Sequence, residues 1–171
     1  GYCLNDAVHL GPKVINDLCV VLLRFRRREV ALGGDVAEMF LQIRMQERDR
    51  DFHRFLYREK SSDPIEEYEF LVHPFGNKGS PCVSIFCIKE QARDWAEKYP
   101  RASECVLHST IVDDNMDSVD TVEEAIQLRK DLTAIYGQGC GMHIRKWFSN
   151  RKEVVEGVPE EDIAKNIDLS D

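Results

Sequence analysis

Three aspartates carry the chemical signal in this chain. Asp113 and Asp114 are adjacent, between the apolar run 106–112 and the short segment 115–119, and Asp35 closes the β-prone segment 30–35. One carboxylate ending a strand and two at a hairpin tip can hold two divalent metals over a phosphate. Ions about 3.5–4 Å apart stabilise both the attacking and the leaving oxygen of an in-line displacement and lower the pKa of the attacking hydroxyl. Hard Mg²⁺, with Mn²⁺ as its substitute, takes oxygen ligands, and a few carboxylates leave coordination sites for water and phosphate. Without metal the acids repel one another, which raises at least one pKa. The chemistry indicated is nucleotidyl or phosphoryl transfer.

Those side chains need elements to position them. Gly11-Pro12 opens a helix with Val14, Ile15, Leu18, Val21, Leu22 and Phe25 at helical spacing. Residues 30–35 form a short strand broken by Gly33-Gly34, and 36–42 a tight helical turn carrying Met39 and Phe40. Two β-like runs, 51–59 and 65–72, flank Ser61-Ser62-Asp63-Pro64, a hairpin connection. Residues 73–79 are a loop with two glycines. Ser80, as N-cap, and Pro81 then start a helix that runs toward Lys98 and stops before Pro100. Residues 104–112 and 115–119 make the hairpin that carries the acid pair. Asp120 caps the next helix with Glu123 closing a capping box, Gly137 ends it, and 141–148 is the last strand. The remainder is a polar tail.

Leaving aside the 51–72 hairpin, this order predicts an α+β fold, with helices on one face of a mostly antiparallel sheet. In a split βαβ arrangement of ferredoxin or RRM type, 30–35 and 104–112 are central neighbours, and Asp35 meets Asp113 at one end of the sheet.

At 171 residues with 43% apolar content the chain can form one compact domain with a real core. It opens Gly1-Tyr2-Cys3 and ends in acidic, polar sequence, and so reads as a piece of a longer polypeptide. No apolar run has membrane-spanning length and no leader opens the chain, so the expectation is a soluble, intracellular domain with no membrane partner. Six scattered cysteines without C-x-x-C or paired histidine spacing argue against zinc and a disulfide framework. The net charge of −8 works against phosphate binding. Basic residues nevertheless cluster at Arg24, Arg26, Arg27, Arg28 and at Arg145, Lys146, Arg151, Lys152.

Several blocks resemble the reverse transcriptase of BEL/Pao-type long-terminal-repeat retrotransposons. They are Leu4-Asn5-Asp6 with Gly11-Pro12, Leu22-Leu23-Arg24-Phe25-Arg26, the run Gly34-Asp35-Val36-Ala37-Glu38-Met39-Phe40-Leu41-Gln42-Ile43, and Arg54-Phe55-Leu56. His73-Pro74-Phe75-Gly76 with Ser80-Pro81, Val112-Asp113-Asp114 and Lys146-Trp147-Phe148-Ser149-Asn150 complete the set, in family order over nearly the whole chain. The resemblance implies a polymerase palm over 1–150, with a partial fingers hairpin inserted at about 44–79. Residues 151–171 are then an acidic tail leading toward a thumb or connection. It implies RNA- and DNA-templated DNA synthesis, adding dNTPs to a primer 3′ end with two Mg²⁺ ions. The template with its primer is then a partner, as are the other domains of a pol polyprotein (fingers, thumb, ribonuclease H, protease, integrase). The setting implied is a cytoplasmic retroelement particle, or the nucleus.

By the same resemblance Asp35, Asp113 and Asp114 are catalytic metal ligands, and the Val36 carbonyl faces a metal. Phe40 is the side chain that excludes a ribose 2′-hydroxyl. Phe75-Gly76 lines the nucleotide pocket, Gln42 joins the substrate-binding set, and Lys146 is a candidate proton donor to pyrophosphate. The chain departs from the family pattern at Ile111, where an aromatic residue is usual, and at Thr110, Gly33 and Cys82.

Simpler readings stand beside these. An Asp-Asp pair in a turn is ordinary turn chemistry, and Met39, Phe40 and Ile43 have the spacing of a core stripe. Lys146 beside Trp147 fits a solvated or cation–π lysine, and Arg24, Arg26, Arg27 and Arg28 fit a helix end favourable to the dipole. The alternative functions are a catalytically inactive or co-opted palm acting as a binding module, and a metal-dependent phosphohydrolase.

Overall fold

In the computed structural model, which describes residues 1–165, the single turn α1 (Leu4–Ala7) precedes a stretch without helix. Helix α2 (Leu18–Phe25) starts only at Asp17, whose carboxylate accepts from the Cys19 amide (2.8 Å) and the Val20 amide. The helix predicted from Gly11-Pro12 is therefore too long. Gly11 has φ +81°, and the segment after it is held by side chains instead: Lys89 Nζ donates to the Val14 carbonyl and to Asn16 Oδ1, both at 2.9 Å.

Strand β1 (Val30–Val36) and the short helical turn Met39–Gln42 follow as expected. After α3 (Glu47–Arg50), strands β2 (Arg54–Tyr57) and β3 (Glu66–Glu69) pair as the separate two-stranded hairpin. Helix α4 (Ser80–Asp94) buries Ser84, Ile85, Ile88 and Ala92, and its N-cap is Gly79 rather than Ser80. The Ser80 hydroxyl instead donates to the Pro74 carbonyl (3.0 Å) and ties down the loop before the helix.

The largest correction concerns 104–112. Pro100 does not merely end a helix; it starts α5 (Pro100–His108), whose buried Ala102, Ser103, Cys105 and Val106 follow a helical period. Only Thr110–Ile111 is left as strand β4, against β5 (Asp114–Val119). The central neighbour of β1 is consequently β5, not 104–112, and the four-stranded antiparallel sheet runs β4-β5-β1-β6, with β6 at Ile144–Ser149.

Helix α6 (Val122–Ala134) is capped by Thr121, which accepts from the Glu124 amide, while Glu124 accepts from the Asp120 amide (3.0 Å). The capping pair is one residue later than Asp120 and Glu123, because two adjacent residues can both cap. The helix runs on past Gly137 through a wider turn, Ile135–Cys140, and stops at Gly141 with φ +65°.

Helices α4, α5 and α6 cover one face of the sheet. Val30, Leu32, Val36 and Val119 join Ile88, Val106, Leu128 and Leu132 in the core there. Alternation sends Asp35, Gly33 and Ala31 to the other face, with their partners Asp114, Met116 and Ser118. Contrary to the one-face expectation, α2 lies on this second side, at the end away from the acids. Ser118 Oγ donates to the Arg24 carbonyl (2.6 Å), and Phe25 meets Phe148 edge-on at 6.1 Å.

Residues 151–165 are more than a polar tail. Val154 is fully buried, and the Ala164 amide donates to the Trp147 carbonyl at 3.0 Å. The last part of the expected tail, 166–171, lies outside the described residues. No helix among the described residues is long and apolar enough to cross a membrane.

Candidate functional site

Strand β1 can deliver Asp35 to the sheet's edge because its two glycines let neighbouring strands close in. A Cβ on Gly33 would meet the Phe148 ring and, at 2.7 Å, the Asn115 carbonyl; one on Gly34 would lie 2.8 Å from Ile144 Cγ2 and 3.0 Å from the Trp147 ring. In the β1–β5 ladder Asp35 stands opposite Asp114. Ile111 also pairs with Asp114, so Val112 and Asp113 are the two loop residues of the β4–β5 hairpin. The Val36 amide donates to the Asp113 carbonyl at 2.8 Å, which ties this loop to the end of β1. All three acids thus gather at one sheet end.

The hairpin holds Asp113 at a cost. Val112 has φ +51°, a left-handed conformation that a β-branched residue rarely adopts, worth about 1–3 kcal/mol of strain. The packing behind the loop over-determines it. Asn115 is buried, and its Oδ1 accepts from Thr110 Oγ1 and from the Tyr136 hydroxyl, both at 2.9 Å.

A second irregularity brings cations to Asp35. The β1–β6 register shifts between Gly33 and Asp35, so two residues of β6, Lys146 and Trp147, oppose Gly34. Lys146 has φ +52° at this bulge. Consecutive strand residues ordinarily point to opposite faces, but here Arg145 and Lys146 both reach one carboxylate. Lys146 Nζ lies 2.9 Å from Asp35 Oδ2, and Arg145 Nε 3.7 Å from Oδ1. Among the described residues no group of three or more His, Cys, Asp and Glu side chains is drawn together as a metal site. The donor set is nonetheless the hard-oxygen kind that Mg²⁺ takes, and an ammonium already sits on one of its members.

Loss of surrounding solvent, then the charges of Asp113 and Asp35, push the Asp114 carboxyl above its ordinary 3.8, while Lys146 works the other way. With the folded pKa above the unfolded one, the native state holds the proton more tightly. This contribution to stability is complete below pH 3.8 and is lost as pH rises through the folded pKa. Asp114→Asn is therefore expected to raise the Tm at neutral pH in chelator and to flatten the decline in Tm from about pH 4 upward. An unchanged pH profile in calorimetry would show that the acids do not strain one another.

Phe40, half-buried in the Met39–Gln42 turn, packs edge-on against Phe75 with ring centroids 5.1 Å apart. Gly76 has φ +84°, which favours glycine. A cleft of about 440 Å³ opens beside it, lined by Asn5, Phe52, His53, Phe70 and Phe75. Gln42 is exposed, and Val36 is buried in the core with its amide committed to Asp113.

Two residues with roles at the site escaped the sequence reading. Arg145 was one of a basic cluster, and only the strand register places it opposite Asp35. Asn5 donates to the Gly76 carbonyl (2.7 Å) and accepts from the Lys78 amide (2.9 Å), clamping the Phe75-Gly76 loop. Its place in the Leu4-Asn5-Asp6 segment was the available signal. The Arg24–Arg28 cluster is partly neutralised: Arg24 pairs with Glu104 at 2.6 Å and Arg28 with Asp120, leaving Arg26 and Arg27 exposed.

No family model matches this chain, and no curated protein matches it. Among solved structures it is similar to the foamy viral protease-reverse transcriptase in complex with an RNA/DNA hybrid, with a TM-score of 0.60 and 18% identity over 80% of this chain. The chain spans 16% of that protein's length. At this identity the likeness is one of fold: a palm-like antiparallel sheet with its helices.

Proposed function

We propose that this chain is the palm, with part of the fingers, of a BEL/Pao-type retrotransposon reverse transcriptase, an RNA-directed DNA polymerase within a longer pol polyprotein. The observation that carries the reading is the cross-strand pairing of Asp35 with Asp114, with Asp113 in the intervening loop fastened to Val36. The palm-like fold supports it.

The reaction is attack of a primer 3′-hydroxyl on the α-phosphate of a dNTP, directed by an RNA or DNA template. Asp35, Asp113, Asp114 and the Val36 carbonyl would hold two Mg²⁺ or Mn²⁺ ions, which would activate the hydroxyl and offset charge on the phosphate and pyrophosphate. Phe40 gates the sugar, Phe75 with Gly76 lines the nucleotide pocket, and Gly76 lets the loop's backbone come close. Lys146 Nζ rests 2.9 Å from Asp35 Oδ2 and would serve as the proton source for the leaving pyrophosphate. The setting proposed is intracellular, in a retroelement particle.

Because Lys146 occupies Asp35 in the absence of ions, it competes with them. Lys146→Ala is expected to tighten Mn²⁺ binding about two- to fivefold, the worth of a solvated ion pair. Weaker Mn²⁺ binding in a titration would mean that the lysine supports the ion site instead.

A second reading has its own observation. With Arg145 and Lys146 both on Asp35, the acids are partly neutralised without metal, as suits a palm retained as a binding module. Primer extension by the longer polypeptide on a primed RNA template tests the choice. Templated, divalent-dependent extension supports the polymerase; none, with no ion binding, favours the module.

A further inference from the structure

The β2–β3 hairpin presents a surface that the polymerase reading leaves unused. Strand alternation puts Phe55, Tyr57, Tyr68 and Phe70 on one side, and their rings form a continuous row. Phe55 lies 4.8 Å from Phe70 and stacks on Tyr68 at 5.7 Å; Tyr68 meets Tyr57 at 6.1 Å with the planes 79° apart. Tyr57 and Tyr68 are 53% and 43% exposed, far more than a core would leave them.

These two rings open into a cleft of about 390 Å³ that Arg58, Glu59, Asp63 and Glu66 also line. Strand alternation places Glu66, opposite Tyr57, on the aromatic side and Arg54, opposite Glu69, on the other. Arg54 is further occupied, pairing with Asp51 at 2.5 Å and with Glu67. Glu66 accepts the Tyr68 hydroxyl at 2.7 Å with one oxygen and keeps the other.

We infer that this face is a docking site for a basic segment of a partner protein, with an arginine or lysine side chain seated in the corner that the Tyr57 and Tyr68 rings make and facing Glu59 and Glu66. Two ring faces near a right angle offer a cation their negative quadrupoles, and the carboxylates supply its counter-charge. Stacked aromatics alone would equally suit the bases of a single strand. The acidic border decides against that, since phosphates approaching Glu59, Asp63 and Glu66 meet repulsion that Arg58, on the same cleft, offsets only in part. The site does not depend on the acids of the palm.

The test is fluorescence anisotropy on the full chain. The probes are a short labelled peptide of alternating arginine and glycine, the same peptide with citrulline for arginine, and an oligouridylate of similar length. The arginine peptide is expected to bind saturably and the citrulline peptide not to. Tyr57→Ala and Tyr68→Ala should each weaken binding about two- to fivefold, and Glu66→Gln should weaken it and lessen its salt dependence. Glu66→Gln keeps the aromatic row, so it reads the site even if a tyrosine variant loosens the hairpin. Equal binding of the citrulline peptide, no peptide binding, or affinity unmoved by Glu66→Gln would overturn the proposal. So would tighter oligouridylate binding that the same tyrosine substitutions weaken.

Discussion

Asparagine at Asp35 or Asp113 is expected to cut primer extension about 10³-fold or more in the longer polymerase proposed to carry this domain. Each substitution removes a negative oxygen from the proposed two-ion site, which would be worth several kcal/mol to the transition state, at about 1.4 kcal/mol per tenfold in rate. The fold should survive both. Asp35 pairs with Arg145 and Lys146, whose side chains are 41% and 56% exposed, and such solvated pairs contribute about 0–1 kcal/mol. Asp113 is anchored through its main-chain carbonyl, which accepts from the Val36 amide whatever its side chain. Single-turnover extension measured beside thermal melts separates the two effects. Extension near wild-type speed in either variant would remove these acids from the chemistry.

Phe40→Ala is expected to lower discrimination against ribonucleotides by on the order of 10²-fold, comparable to what an apolar wall can achieve against one added hydroxyl. The ring is braced on one side by Phe75, and its neighbour Met39 is buried in the core. Removing it opens space beside Phe75 without touching the acids. The structural alternative is that Phe40 only packs. Phe40→Ala would then lower the Tm and leave the ratio of kcat/KM for dNTP over rNTP unchanged, so one kinetic comparison distinguishes the roles.

What could be read in advance was set by local chemistry. Asp113-Asp114 between β-prone runs marks a hairpin tip, and Asp63-Pro64 between two others marks the β2–β3 hairpin; both are where turn residues place them. Strand β1 was legible for the same reason. Residues 100–112 were not, because Pro both ends and begins helices, and a short apolar run fits strand or helix equally. Gly33-Gly34 looked like a break in β1. It is instead a packing requirement imposed by Phe148, Ile144 and Trp147, which lie more than a hundred residues later. The bulge at Lys146 had no sequence signal, since nothing in a lysine announces a positive φ. Yet that bulge puts Arg145 and Lys146 on the same carboxylate.

The account rests on Asp35, Asp113 and Asp114 acting together on divalent ions. Calorimetric titration of Mn²⁺ into this chain, repeated with Asp35→Asn and Asp113→Asn, addresses this most directly. The prediction is saturable binding in the unmodified chain, loss of at least one ion in each variant, and a stabilisation of about 1.4 kcal/mol at ten times the Kd. Binding that is absent, or that is the same in all three proteins, would contradict it.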